Sequence, residues 1–226
     1  VTENPDRSAG REPEHIDALP QGLATGSTVL VASTGHPPRH DIALRILARL
    51  GDADDTILAV TTTESADEFV EAVDRVYGDG ERPPLGVVDT VSTGQSVASR
   101  YGEVPVVFTP SPSDLERLVV ALAELSGDRP PADGARHLLV GSLTPVLDSI
   151  STEQVCTVLR QISGIRTDDG LTLVGVDYTA HDEATTTALT EQVDGVLWVT
   201  PDADGRLDLE YRPATGRFAG VSSSEQ

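Results

Sequence analysis

The chain has 226 residues, 38% of them hydrophobic, which suits one ordinary domain with short appendages and excludes wholesale disorder. Its 16 basic residues face 37 acidic ones, a net charge of −21, so neither nucleic acid nor an anionic membrane surface is an expected partner. No apolar run reaches the roughly 18 residues of a membrane-spanning helix, the first residues show no basic-then-apolar leader, and the single Cys156 excludes a disulfide framework or a Cys-rich zinc site; a cytoplasmic location is expected.

Residues 1–26 are polar, rich in Pro, Gly and acid, and without periodicity, so a flexible lead-in is expected, with Ile16, Leu19 and Leu23 tacked onto the core. Thr28–Ser33 (TVLVAS) reads as a strand buried on both faces, and Asp41–Leu50 carries apolar residues at helical spacing. Thr56–Thr62 is a second strand, and Ser65–Tyr77 a helix opened by the capping pair Ser65 and Glu68. Leu85–Thr90 and Val104–Thr109 read as strands separated by a loop, and Ser113–Ser126 as a helix with Ser113 and Glu116 as its capping pair. His137–Gly141 is a strand, Ser151–Ile165 a helix opened by Ser151 and Gln154, Leu171–Asp177 a strand and Asp182–Gln192 a helix. Val193–Thr200 and Leu207–Arg212 close the pattern as an antiparallel hairpin around an Asp204–Gly205 turn. The main domain then spans 27–213, with a flexible tail over 214–226. Repeated alternation of strand and helix predicts an α/β fold, a three-layer αβα sandwich around a mostly parallel sheet. Sites in such sheets lie at the carboxyl ends of the strands.

All 16 basic residues are Arg; there is no Lys. Acidic excess without Lys, with few aromatics and many small residues, matches the composition of proteins that work in molar salt. A carboxylate-rich surface stays hydrated and self-repelling where salt would otherwise drive association. The charge is thus read as an adaptation to salt and not as a clue to a partner.

The first strand runs into Ser33-Thr-Gly-His-Pro-Pro-Arg-His-Asp41 and then a helix, the place of a phosphate-binding loop. Such a loop, GxxxxGK[ST], wraps phosphates in backbone N–H groups, with Lys on the terminal phosphates and a hydroxyl on magnesium. Aligned on the helix, Arg39 falls at the Lys position, His40 at the hydroxyl position, Pro38 at the last Gly and Ser33 at the first. Pro37 and Pro38 have no N–H to offer. Thr34, Gly35, Arg39 and His40 remain candidates for weak phosphate or nucleotide binding, because a helix N-terminus attracts anions and Arg is a bidentate phosphate donor; an ordinary capped turn is the competing reading.

This layout resembles the RecA/KaiC-like branch of the P-loop ATPases, especially its degenerate members in halophilic archaea. Three further stretches carry the resemblance. Val60-Thr-Thr-Thr-Glu-Ser65 is similar to the strand end that presents one or two catalytic Glu; Glu64 is kept and Thr63 stands at the preceding acidic position. His137-Leu-Leu-Val-Gly-Ser-Leu-Thr-Pro145 is similar to the Walker B strand, with Gly141 in place of the magnesium-directing Asp and Ser142 kept. Leu173–Asp182 with Val193–Trp198 resembles the late strand, its helix and the start of the closing hairpin. The resemblance covers Leu19 to Pro213 and implies a RecA-like fold with a C-terminal antiparallel hairpin. Lys and magnesium carry most of phosphoryl transfer, so loss of their ligands implies a non-catalytic interaction or regulatory module of the signal-transduction type, needing no cofactor. Its partner would be a protein: another copy of the chain or an active paralogue. The alternative is an ATP-binding protein or weak ATPase, with magnesium, using Arg39 for the missing Lys and Glu64 as the water-orienting base.

Other candidates are weighed on the residues alone. His36 and His40 with Asp41 lack a third ligand at a familiar spacing, so no metal site is expected. Asp177 ends a buried strand with His181 and Asp182 behind it; either Asp177 and His181 form an acid–base dyad, or Asp182 caps the next helix while Asp177 satisfies loop amides. A third function class, a small-molecule enzyme, would rest on that dyad. Ser142 and Ser149 lack a nucleophile elbow. Cys156 and Trp198 read as core, and Asp67, Glu68, Glu71 and Asp74 as a solvated helix face. If the salt reading is right, the melting temperature falls on dialysis from molar KCl to low salt; a melting temperature indifferent to salt would overturn it.

Overall fold

Short runs of aliphatic and β-branched residues with no polar alternation need cover on both sides. A computed structural model describes residues 22–34, 39–78, 80, 82–92, 99–101, 104–128, 134–201 and 207–214. The strands are β1 (Thr28–Ser33), β2 (Thr56–Thr61), β3 (Leu85–Asp89), β4 (Ser99–Tyr101), β5 (Val104–Phe108), β6 (Arg136–Val140), β7 (Thr172–Asp177), β8 (Gly195–Pro201) and β9 (Leu207–Pro213). The helices are α1 (Arg39–Leu50), α2 (Ala66–Tyr77), α3 (Leu115–Asp128), α4 (Thr144–Leu147), α5 (Thr152–Ile162) and α6 (Glu183–Thr190).

One sheet holds all these strands in the order β4-β5-β3-β2-β6-β7-β1-β8-β9. Its middle is parallel, and both outer pairs, β4 with β5 and β8 with β9, are antiparallel. In β1, Val29 and Val31 face a core shared with α1 and α2, while Leu30 and Ala32 face a second core shared with α3, α5 and α6. The result is the expected three-layer α/β sandwich with its C-terminal hairpin. Leu23 packs on the first core. Ile16, Leu19, the Asp204–Gly205 turn and the tail from Thr215 lie outside the described residues.

The capping pairs of α2 and α5 form as the sequence predicts, Ser65 with Glu68 and Ser151 with Gln154. At α3 the structure differs. Ser113 bonds Ser111 side chain to side chain at 2.7 Å, and Asp114 accepts the Arg117 N–H at 3.3 Å instead. The helix therefore starts at Leu115. β4 falls where a loop is expected, and α4 adds a single turn after β6.

At the amino end of the sheet, Asp55 and His137 are buried side by side. His137 accepts the Leu171 N–H at Nδ1 (2.9 Å), so its proton sits on Nε2 and is donated to Asp55 Oδ2 (2.9 Å). Asp55 also accepts the N–H groups of Asp52 (2.7 Å) and Ala135 (2.6 Å). Burial by itself would raise the Asp55 carboxyl, but these donors outweigh it and hold the group below its usual range. The latch joins the starts of β2, β6 and β7.

Asp55→Ala is expected to cost about 3 kcal/mol in urea unfolding at neutral pH, because three donors lose their acceptor. The carboxyl is depressed in the folded chain. Its contribution is therefore complete above the ordinary carboxylate pKa and fades as acid protonates the folded form. The gap between wild type and variant should accordingly narrow below about pH 4.

Candidate functional site

In a sheet covered on both faces, a crevice opens where neighbouring strands send their exits to opposite layers. β2 exits to α2 on one face and its neighbour β6 exits to α4 and α5 on the other. β7 and β1 repeat this arrangement: β7 leads to α6 and β1 to α1. The carboxyl ends of β2, β6, β7 and β1 thus form one row, holding Thr62 to Glu64, Gly141 to Thr144, Asp177 and Ser33 to Thr34.

The strand order brings Glu64 and Gly141 together. A Cβ placed on Gly141 would lie 3.2 Å from Glu64 Oε1, 3.5 Å from the Val60 carbonyl oxygen and 3.7 Å from Thr62 Oγ1. Glu64 is buried and accepts a 2.6 Å bond from the Thr63 hydroxyl. The space where a side chain at 141 would begin is therefore bounded by the Glu64 carboxylate.

The loop after β6 is tied to both neighbours. Thr62 Oγ1 donates to the Ser142 carbonyl (2.8 Å) and accepts the Ser142 N–H (2.9 Å), joining it to β2. On the other side, the Leu143 N–H reaches the Gly175 carbonyl at 2.7 Å. Thr144 Oγ1 accepts the Asp177 N–H at 3.0 Å and lies 3.3 Å from His181 Nε2. Neither Thr62 nor Thr144 is singled out by the sequence, since a lone Thr carries no spacing signal.

Asp177 accepts from the Thr179 N–H (3.0 Å) and hydroxyl (2.6 Å), and Asp182 accepts the Thr185 N–H at 2.8 Å. These are the loop-amide and helix-cap roles; His181 meets the Thr144 hydroxyl. Of the phosphate-loop candidates, Thr34 follows β1 directly and Arg39 and His40 open α1, while Gly35 and the side chains of Arg39 and His40 lie outside the described residues. Cys156 is buried, and burial pushes its thiol up.

Asp89, at the carboxyl end of β3, is a buried carboxylate the sequence reading passes over. It accepts the N–H groups of Ala66, Val91 and Ser92 and the Ser92 hydroxyl, at 2.7–2.9 Å. Burial would raise this carboxyl, yet the donors hold it below its usual range. The signal available was Asp89-Thr-Val-Ser92 after a strand, an Asx-turn pattern. Among the described residues, no group of three or more His, Cys, Asp or Glu is placed to hold a metal ion, and no helix is long and apolar enough to cross a membrane.

A model for a family of unknown function, DUF7504, matches residues 26–199, most of the chain. The chain belongs to that family. No curated protein matches it. Many solved structures share its fold, two of them over most of both chains. One is the uncharacterized protein PH0321 from Pyrococcus horikoshii, in complex with an unknown peptide: TM-score 0.56, 16% identity, 84% of each chain covered. The other is the KaiC-like protein PH0186 from the hyperthermophilic archaeon Pyrococcus horikoshii OT3: TM-score 0.55, 13% identity, 88% of this chain and 84% of that one. The fold is therefore KaiC-like.

Gly141→Asp should destabilise the chain by about 1–3 kcal/mol, since it forces a second carboxylate against Glu64. Combining it with Glu64→Gln should recover part of the loss by neutralising one of two facing like charges. Chemical unfolding of the single and double variants measures both effects; a neutral Gly141→Asp would show that the crevice can open.

Proposed function

We propose that this chain is a non-catalytic interaction or regulatory module on the KaiC-like fold, in which the groups for splitting ATP have been replaced. The observation that carries the reading is the Glu64 carboxylate beside the place where a side chain at Gly141 would begin. A magnesium-directing carboxylate would have to grow from residue 141, and that space borders the Glu64 carboxylate. The reciprocal Thr62–Ser142 bonds hold the same loop against β2. The absence of any Lys supports the reading, because no other Lys can replace the one missing from the loop.

The partner in this reading is a protein, either a second copy of the chain or an active relative of the same fold, in a signal-transduction type of assembly inside a salt-adapted cell. The related PH0321 structure, in complex with an unknown peptide, is in keeping with a fold that serves as a binding platform.

A ligand that binds only the native state must raise the melting temperature. Titration with ATP and ADP to millimolar concentration in molar KCl, with and without magnesium, is expected to leave the melting temperature unchanged. A saturable, magnesium-dependent rise that Arg39→Ala abolishes would replace this reading with the ATP-binding one, in which Arg39 grips phosphate and Glu64 orients water.

A further inference from the structure

A second space lies away from the crevice. It holds about 730 Å³ between α6 and the sheet edge, and both Tyr178 and Trp198 line it. Their rings meet edge to face, centroids 5.0 Å apart at 79°. Trp198 is half-buried, not enclosed in the core as the sequence suggests.

The rest of the lining carries two carboxylates and several hydroxyls. Glu183 and Glu191, both exposed, stand at the two ends of α6. Eight residues of helix put their backbones about 12 Å apart. Between them lie Thr186 and Thr190, whose hydroxyls already donate to the carbonyls of Asp182 (3.1 Å) and Thr186 (2.9 Å). Each therefore offers the cavity lone pairs and no hydrogen. Among the described residues, no Arg lines the cavity, and the side-chain donors on the wall are the Tyr178 phenol, the Trp198 indole N–H, the His181 ring and the remaining Thr187 hydroxyl. Carboxylates, acceptor hydroxyls and aromatic π surface together favour a donor-rich cation.

We infer that this groove binds an arginine-bearing segment of a partner polypeptide. Arg suits it better than Lys because a planar guanidinium both stacks on aromatic rings and forks onto a carboxylate. The size and the separation of the two acids exceed one side chain. An extended segment with Arg at i and i+4 presents both on one face about 13 Å apart, matching the span between Glu183 and Glu191. The inference goes beyond the function proposed above, since it names a surface and a partner chemistry and does not depend on whether the crevice holds nucleotide.

Trp198 is the only tryptophan, so its emission reports on the groove directly. The full chain is titrated with a blocked Arg-Ala-Ser-Ala-Arg peptide, with its Glu-for-Arg counterpart, and with arginine amide. A saturable emission change is expected with the first peptide alone. Glu183→Gln and Glu191→Gln should each weaken it about threefold, and the double variant about tenfold, with an unchanged melting temperature. Absence of a saturable response, an equal response to the acidic peptide, or unchanged affinity in the double variant would overturn the site. Arginine amide binding as tightly as the peptide would overturn the polypeptide assignment in favour of a small organic cation. An emission change that follows protein concentration without peptide would assign the groove to a second copy.

Discussion

A parallel sheet buried on both faces can meet water only at its ends, and every N–H and C=O there needs a partner. This chain answers that constraint largely with its own side chains. At the amino end, His137 accepts one backbone N–H and donates its Nε2–H to Asp55, which gathers two further amides. At the carboxyl end, Asp89 gathers the start of α2 and the turn after β3, while Thr62 and Thr144 hold the loop after β6. Both carboxylates are buried and still held below their usual range, Asp55 by the His137 ring and two backbone amides and Asp89 by three backbone amides and the Ser92 hydroxyl.

The same constraint shapes the crevice. A phosphate or metal site keeps donors and acceptors turned outward until a ligand meets them. Here the Ser142 amide and carbonyl are both taken by one Thr hydroxyl, and the Asp177 amide by another. These bonds hold the loop after β6 against both of its neighbours at the carboxyl ends of the strands.

The layers and most elements were legible because the signals were local. TVLVAS and TILAVT have no polar alternation, so they had to be interior strands, and Ser65 with Glu68 marks a helix start whatever the tertiary setting. β4 was not legible. It is three residues long and has a single strand partner, β5, so its residues carry no periodicity. The α3 start went to Asp114 because two candidate caps stood side by side and only packing chose between them. Gly141 could be singled out in the sequence, but its neighbour in space could not. That required the strand order, which brings a residue 77 positions away, Glu64, against it. Trp198 looked like core because strand patterning tells the face and not the layer's extent; α6 is too short to cover the sheet edge.

The crevice and the α6 groove are separate spaces, yet one hydroxyl stands between them. Thr144 begins the turn after β6, accepts the amide that ends β7, and faces the ring of His181, which lines the groove. Because the hydroxyl oxygen is fixed by the Asp177 amide, its hydrogen is free to turn toward His181 Nε2 when that nitrogen is unprotonated. His181, on the wall of the groove, is thereby tied through Thr144 to the loop that follows β6.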